Sequence, residues 1–233
     1  FQMRDDICTI PISEVFEHND GCPICRMRDT IEERMISYIL GDAMMEPDVR
    51  IETNKVGFCE YHYGKMMGRR GRLQLALMLE THIAEINKNL FEKKLFNPDG
   101  KKAENAKNVS SSCFICSKIE WGLSRMIETV YRCYENKKDF RDMFDSQTVF
   151  CLPHYERLLN GASKKNMRRY YGDFSTALNR ITGEYSAELY KDISKYCTMY
   201  DYQSRENADW GNSRDSVERA VAFLNGRTYK ENN

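Results

Sequence analysis

Cys22-Pro23-Ile24-Cys25-Arg26-Met27-Arg28-Asp29-Thr30-Ile31-Glu32-Glu33-Arg34-Met35-Ile36-Ser37-Tyr38-Ile39 joins a pair of thiols to a run whose apolar residues Met27, Ile31, Met35 and Ile39 fall four apart. That spacing puts them on one face of a helix. Asn19, Asp20 and Gly21 precede the pair, and Pro23 suits a first helical turn, where a missing N–H costs nothing. The arrangement recurs at Cys113-Phe114-Ile115-Cys116, where Ser110 to Ser112 can cap a helix carrying Ile115, Ile119, Leu123, Met126, Ile127 and Val130.

Each thiol pair is followed by a mixed pair. Cys59-Glu60-Tyr61-His62 follows the first with 33 residues between, and Cys151-Leu152-Pro153-His154 follows the second with 34 between. Read in order, Cys22, Cys25, Cys59 and His62 form one set, and Cys113, Cys116, Cys151 and His154 form another. Three thiols and an imidazole, offered as two close pairs, suit a tetrahedral ion, most simply zinc. Two zinc ions per chain are expected, each closed by four protein ligands. An iron-sulfur cluster is the alternative for the same residues. A thioredoxin-like dithiol fits poorly, since no alternation of strands and helices surrounds Cys22-Pro23-Ile24-Cys25.

Each ligand pair sits where a helix is expected to start. Unbonded N–H groups and a partial positive charge at that end stabilise thiolates. The simplest organisation is an internal duplication, with a first half over 1–96, a linker over 97–109 marked by Asn97-Pro98-Asp99-Gly100, and a second half over 110–165. A C-terminal helical extension over 166–233 packs on the halves. Residues 164–200 read as one long tyrosine-rich helix, and 213–224 as a short helix stopped by Gly226. Gly64, Gly68 and Gly71 break the helix after Cys59, and Leu75, Leu79, Ile83, Ile86 and Leu90 form a core-facing stripe beyond them. No sustained strand alternation occurs. The fold class is all-α, with duplicated helical halves that each carry a Cys-x2-Cys and Cys-x2-His site.

Composition narrows the function classes. Thirty-five basic and 35 acidic residues cancel, so no net field draws the chain to nucleic acid or an anionic membrane. No apolar run approaches the roughly 20 residues needed to span a bilayer. Six of nine cysteines lie in the ligand pairs, leaving Cys8, Cys133 and Cys197 scattered. Lone thiols fit a reducing cytoplasm better than a secreted disulfide framework. The opening residues 1–12 show no signal-peptide pattern, although Phe1 suggests a trimmed start.

The pattern as a whole resembles a bacterial family known as domain of unknown function 6062. The resemblance runs through Ile10-Pro11-Ile12, Phe16, Cys22-Pro23-Ile24-Cys25, Met45-Glu46-Pro47-Asp48-Val49-Arg50, Gly57-Phe58-Cys59 with His62, Arg72-Leu73 and Thr81-His82. It continues in Cys113 with Cys116, Phe150-Cys151 with His154, Tyr155, Asp201-Tyr202, Trp210, and Asp215 with Arg219. The family implies no activity. Two departures stand out: Gln147-Thr148-Val149 lacks the glycine found before Phe58-Cys59, and Arg70 replaces an asparagine.

The leading functional reading is a cytoplasmic binding or scaffolding protein, with a protein or small ligand as partner. The alternative is a metal- or iron-sulfur-dependent enzyme, redox chemistry included, with a pocket at Glu46, Asp48 and Arg50, joined by Arg72 and His82. Glu46 and Asp48 can equally cap a helix or pair with Arg50 and Arg72. His82 reads as a hydrogen-bonded core histidine, and His18 as a surface residue placed near the first thiols. Lys164, Lys165, Arg168 and Arg169, beside Tyr170 and Tyr171, read as a solvated helix face rather than a stacking platform for nucleic acid.

Overall fold

Pro23 opens helix α2 (Pro23–Ile39), and Met27, Ile31, Met35 and Ile39 are all buried, as their spacing requires. The structure is a computed structural model that describes residues 12–92, 99–200 and 210–226. It is all-α, with no strand among the described residues. None of these helices is long and apolar enough to cross a membrane.

The chain divides into two compact units that interleave along the sequence. Among the described residues, one unit lies within 29–123, and the other within 12–28 and 124–226. These units do not coincide with the consecutive stretches 1–96 and 110–165. Residues 99–111 are a helix of the first unit, because a Pro-Asp-Gly sequence starts a helix as readily as it makes a loop. The division falls inside α2 and inside α7 (Phe114–Asn136), the two helices that begin with thiol pairs.

The first unit contains a short helical turn (Asp42–Met45), α3 (Pro47–Val56), α4 (Glu60–Met67), α5 (Arg72–Ile86) and α6 (Asp99–Ser111). Two of the three glycines break the chain as expected, since α4 ends against Gly68 and Gly71 takes φ 116° immediately before α5, whereas Gly64 lies inside α4. Helix α3 packs on α5, and α6 packs on α3. The buried face of α5 is Leu75, Met78 and His82, not the expected stripe, and Ile83 is 52% exposed. Leucines at 73, 75, 77 and 79 lie on several faces of this helix, so their spacing could not select one. A wide π-helical turn over Asn87–Phe91 then shifts the phase and carries Leu90 back inside.

The second unit contains α1 (Ile12–Phe16), the start of α2, the end of α7, α8 (Lys138–Asp145), α9 (Leu152–Gly161), α10 (Tyr171–Met199) and α11 (Ser216–Asn225). Helix α10 packs on α8, α9 and α11. Its core is aromatic. The Phe144 ring lies 4.9 Å from Phe150 and Phe174, 5.1 Å from Tyr134 and 5.8 Å from Phe16, and all five side chains are buried. The long helix starts at Tyr171 rather than 164. The preceding backbone is held instead by Glu135, whose carboxylate accepts the Arg169 and Tyr170 N–H groups, while Arg141 and Arg169 stack on the Tyr170 ring.

Candidate metal centres

Four helices begin in the same way. The carbonyls of Cys22, Cys59, Cys113 and Cys151 accept hydrogen bonds from the N–H four residues on, at 3.2, 2.9, 3.1 and 2.8 Å. Each lead cysteine is thus an N-cap, and each second ligand, Cys25, His62, Cys116 or His154, falls on the third helical residue. At Cys113 the sulfur also takes up one of the otherwise unbonded amides, through a 3.5 Å bond from Cys116 N–H. The serine cap expected at 110–112 is absent. Ser110 and Ser111 end α6, and Ser112 turns its hydroxyl to the Val56 carbonyl.

The eight expected ligands gather into two Cys3His groups, but the pairing is crossed. Cys22 and Cys25 meet Cys151 and His154 in the second unit, while Cys59 and His62 meet Cys113 and Cys116 in the first. Neither half of the sequence completes a site from its own pairs. In the first unit His62 Nδ1 lies 3.2, 3.3 and 3.4 Å from the sulfurs of Cys59, Cys113 and Cys116. In the second, His154 Nδ1 lies 3.6, 3.3 and 3.1 Å from those of Cys22, Cys25 and Cys151. All ligand atoms of a group lie within 4.8 Å of one another. Ligands at zinc bonding distances on a tetrahedron stand about 3.5–3.8 Å apart, so each group fits one ion.

Short contacts between the segments leading into the ligand pairs enforce this pairing. Around the first-unit centre, Phe114 N–H bonds the Gly57 carbonyl at 2.9 Å and the Ser112 hydroxyl bonds the Val56 carbonyl at 2.7 Å. Around the other, Thr148 Oγ1 donates to the Asn19 carbonyl at 2.7 Å, and Gln147 Nε2 to Asn19 Oδ1 and the Phe16 carbonyl. Gln147, which stands among the residues that depart from the family pattern, is thus one of the residues that bring the two turns together.

One sulfur in each group is held below the usual thiol range. Burial raises the Cys113 thiol, but hydrogen bonds from His62 and from the Cys116 and Cys59 amides outweigh it and bring it to about 6. Burial likewise opposes ionisation of Cys22, and hydrogen bonds from Cys151, Cys25 and His154 prevail. Three thiolates on a divalent ion leave one net negative charge, which the positive ends of two converging helices offset.

Glu32 is a functional residue that the sequence reading missed. Its carboxylate, 4% exposed, accepts from His62 Nε2 at 3.1 Å and is ion-paired to Lys65. Burial pushes its pKa up, but the His62 and Lys65 contacts bring it to about 2. With Nε2–H donated to Glu32, Nδ1 presents its lone pair to the thiols, and the imidazole is fixed in that tautomer. Nothing in the pattern distinguishes Glu32 from solvated Glu33 beside it. Glu32→Ala should weaken metal binding at the first-unit centre by about 10–100-fold, read by competition with a chromophoric chelator.

Three of the pocket candidates, Glu46, Arg50 and His82, are held by hydrogen bonds to other parts of the fold. Glu46 accepts from the Tyr38 hydroxyl at 2.6 Å, and Arg50 donates to the Leu77 carbonyl and Thr81 Oγ1 at 3.0 and 2.8 Å. Asp48 and Arg72 are exposed on the first turns of α3 and α5. His82 is buried, with Nδ1 2.8 Å from the Asn54 carbonyl and Nε2 against Gly57. Gly57 has φ 60° and ψ −152°, and a Cβ there would stand 2.6 Å from His82 Nε2. This explains why a glycine precedes Phe58-Cys59, while Val149 serves before Phe150-Cys151. Gly57→Ala should cost at least about 1–3 kcal/mol from the backbone alone, seen as a lowered melting temperature.

A second glycine closes the other centre. Gly226, at φ 65° after α11, accepts from Arg28 and lies 3.2 Å through its carbonyl from Cys25 Sγ; a Cβ would meet Cys151 Sγ at 3.1 Å. His18 is exposed and lies outside both groups, as do half-buried Cys133 and exposed Cys197, while Cys8 lies outside the described residues. No curated protein and no solved structure matches the chain. The match that exists is to a family model, and it covers residues 3–231, taking in all eight ligands of both centres, so the chain belongs to the family of unknown function DUF6062.

Proposed function

We propose that the protein is a helical scaffold fastened by two structural zinc ions, which holds a binding surface for a protein partner or small ligand in the cytoplasm. The carrying observation is that three sulfurs and one imidazole nitrogen lie within 4.8 Å in each group. A polynuclear iron-sulfur cluster spreads its four ligands over two or more irons, so some of them stand apart by the width of the core. Atoms this close favour a single ion. Four protein ligands also fill a tetrahedron, leaving no open position of the kind catalytic zinc uses.

The binding role is supported by apolar side chains that the first unit leaves in solvent, Leu73 at 67% and Phe91 at 71% exposure among them. The hydrogen bonds that occupy Glu46, Arg50 and His82 favour a structural over a catalytic use of that loop. Elemental analysis with an absorption spectrum tests the reading. Two zinc ions per colourless chain are expected; iron with sulfide and a brown absorbance would overturn it.

A further inference from the structure

The two centres differ in access. In the second unit no ligand cysteine is exposed, and Gly226 with Arg28 covers the Cys25 and Cys151 side. In the first unit Cys116 is exposed, and its sulfur lies 3.9 Å from that of Cys59. Cys116 and Cys59 head different helices, α7 and α4, so both sulfurs are held close by the fold and not only by adjacency in sequence.

We propose that the first-unit centre is a peroxide-reactive site, at which oxidation of Cys116 releases the metal while the second centre keeps its own; this rests on the two-metal reading above. The Cys116 thiolate attacks one oxygen of hydrogen peroxide, forming S–O, breaking O–O and releasing hydroxide. The Cys59 thiolate then attacks the Cys116 sulfur, forming S–S, breaking S–O and releasing a second hydroxide. Two protons from the buffer acid convert the hydroxides to water. Two electrons pass from the thiolates to peroxide, and the ion keeps its charge. Left with Cys113 and His62 alone, the ion dissociates. A dithiol reductant returns both thiols and restores the site.

The test uses the metal-loaded full chain. Metal content is measured first, and fewer than two ions per chain would sink the two-metal reading before peroxide is added. Hydrogen peroxide is then titrated in with a chromophoric chelator present, and disulfides are mapped by mass spectrometry. One equivalent of metal should be released first, together with a Cys59–Cys116 disulfide, and a dithiol with added zinc should reverse both. Oxidation of exposed Cys197 without metal release is the internal control. Cys116→Ser removes a ligand and should hold only the second-unit ion, which should stay bound at peroxide doses that empty the first-unit centre of the wild-type protein. Brief alkylation of the wild-type protein supplies a measurement independent of that variant's folding, with Cys116 the first ligand modified. Simultaneous release of both ions, or first modification at Cys22, Cys25 or Cys151, would overturn the inference, as would a first disulfide that omits Cys59.

Discussion

Stripping both ions with a chelator, under reducing conditions, is expected to abolish the cooperative thermal transition of the metal-loaded protein. Each centre ties together two helix starts contributed by distant parts of the chain, Cys25 and Cys151 lying 126 positions apart and Cys59 and Cys116 lying 57 apart. Without the ion, three sulfurs and an imidazole remain crowded within 4.8 Å, and only the few hydrogen bonds between the ligand turns oppose their separation. Structural zinc contributes on the order of 10 kcal/mol in small zinc-finger peptides, comparable to the whole stability of a typical domain, about 5–15 kcal/mol. The first unit should suffer more. The Phe144 cluster belongs to the second unit, whereas the Phe58–Phe114 ring contact of the first lies at its ligand turns. Circular dichroism melts before and after chelation measure the effect, and metal-free protein that melts within a few degrees of the loaded form would count against structural metal.

Phe144→Ala carries the next largest expected effect. Phe144 is fully buried on α8 and touches the rings of Phe16, Tyr134, Phe150 and Phe174, so it joins α1, α7, α10 and the segment leading into Cys151. Truncation leaves a cavity that rigid rings cannot collapse to fill. The loss should be about 3–5 kcal/mol by denaturant unfolding, and Phe144→Leu should lose much less. A loss under about 1 kcal/mol for the alanine variant would mean that this cluster does not organise the second unit.

Much of this was legible in the sequence. The helix starts at Cys22 and Cys113 follow from Pro23, the apolar spacing and the ligand pairs, and the break before α5 from the backbone freedom of Gly71. All eight members of the two groups were recognisable by residue type and spacing. Their pairing was not, because chain length discriminates weakly: closing a loop of about 126 residues rather than about 34 costs only about 1 kcal/mol more. That difference is smaller than the gain from a few well-made contacts such as Gly57 to Phe114 and Asn19 to Thr148. Glu32 was hidden for a different reason. A buried carboxylate and a solvated one look alike in a charged helix until the partner histidine is placed. The α5 stripe misled because its leucines are not confined to one face.

The crossed pairing is the central structural claim, and metal stoichiometry in two double variants tests it most directly. Cys25→Ser with Cys151→Ser removes two ligands from one centre, so the protein should keep one ion per chain. Cys25→Ser with Cys59→Ser removes one ligand from each centre, so it should keep none. The opposite result, no ion in the first variant and one in the second, would show that each half of the sequence binds its own metal and would contradict the account.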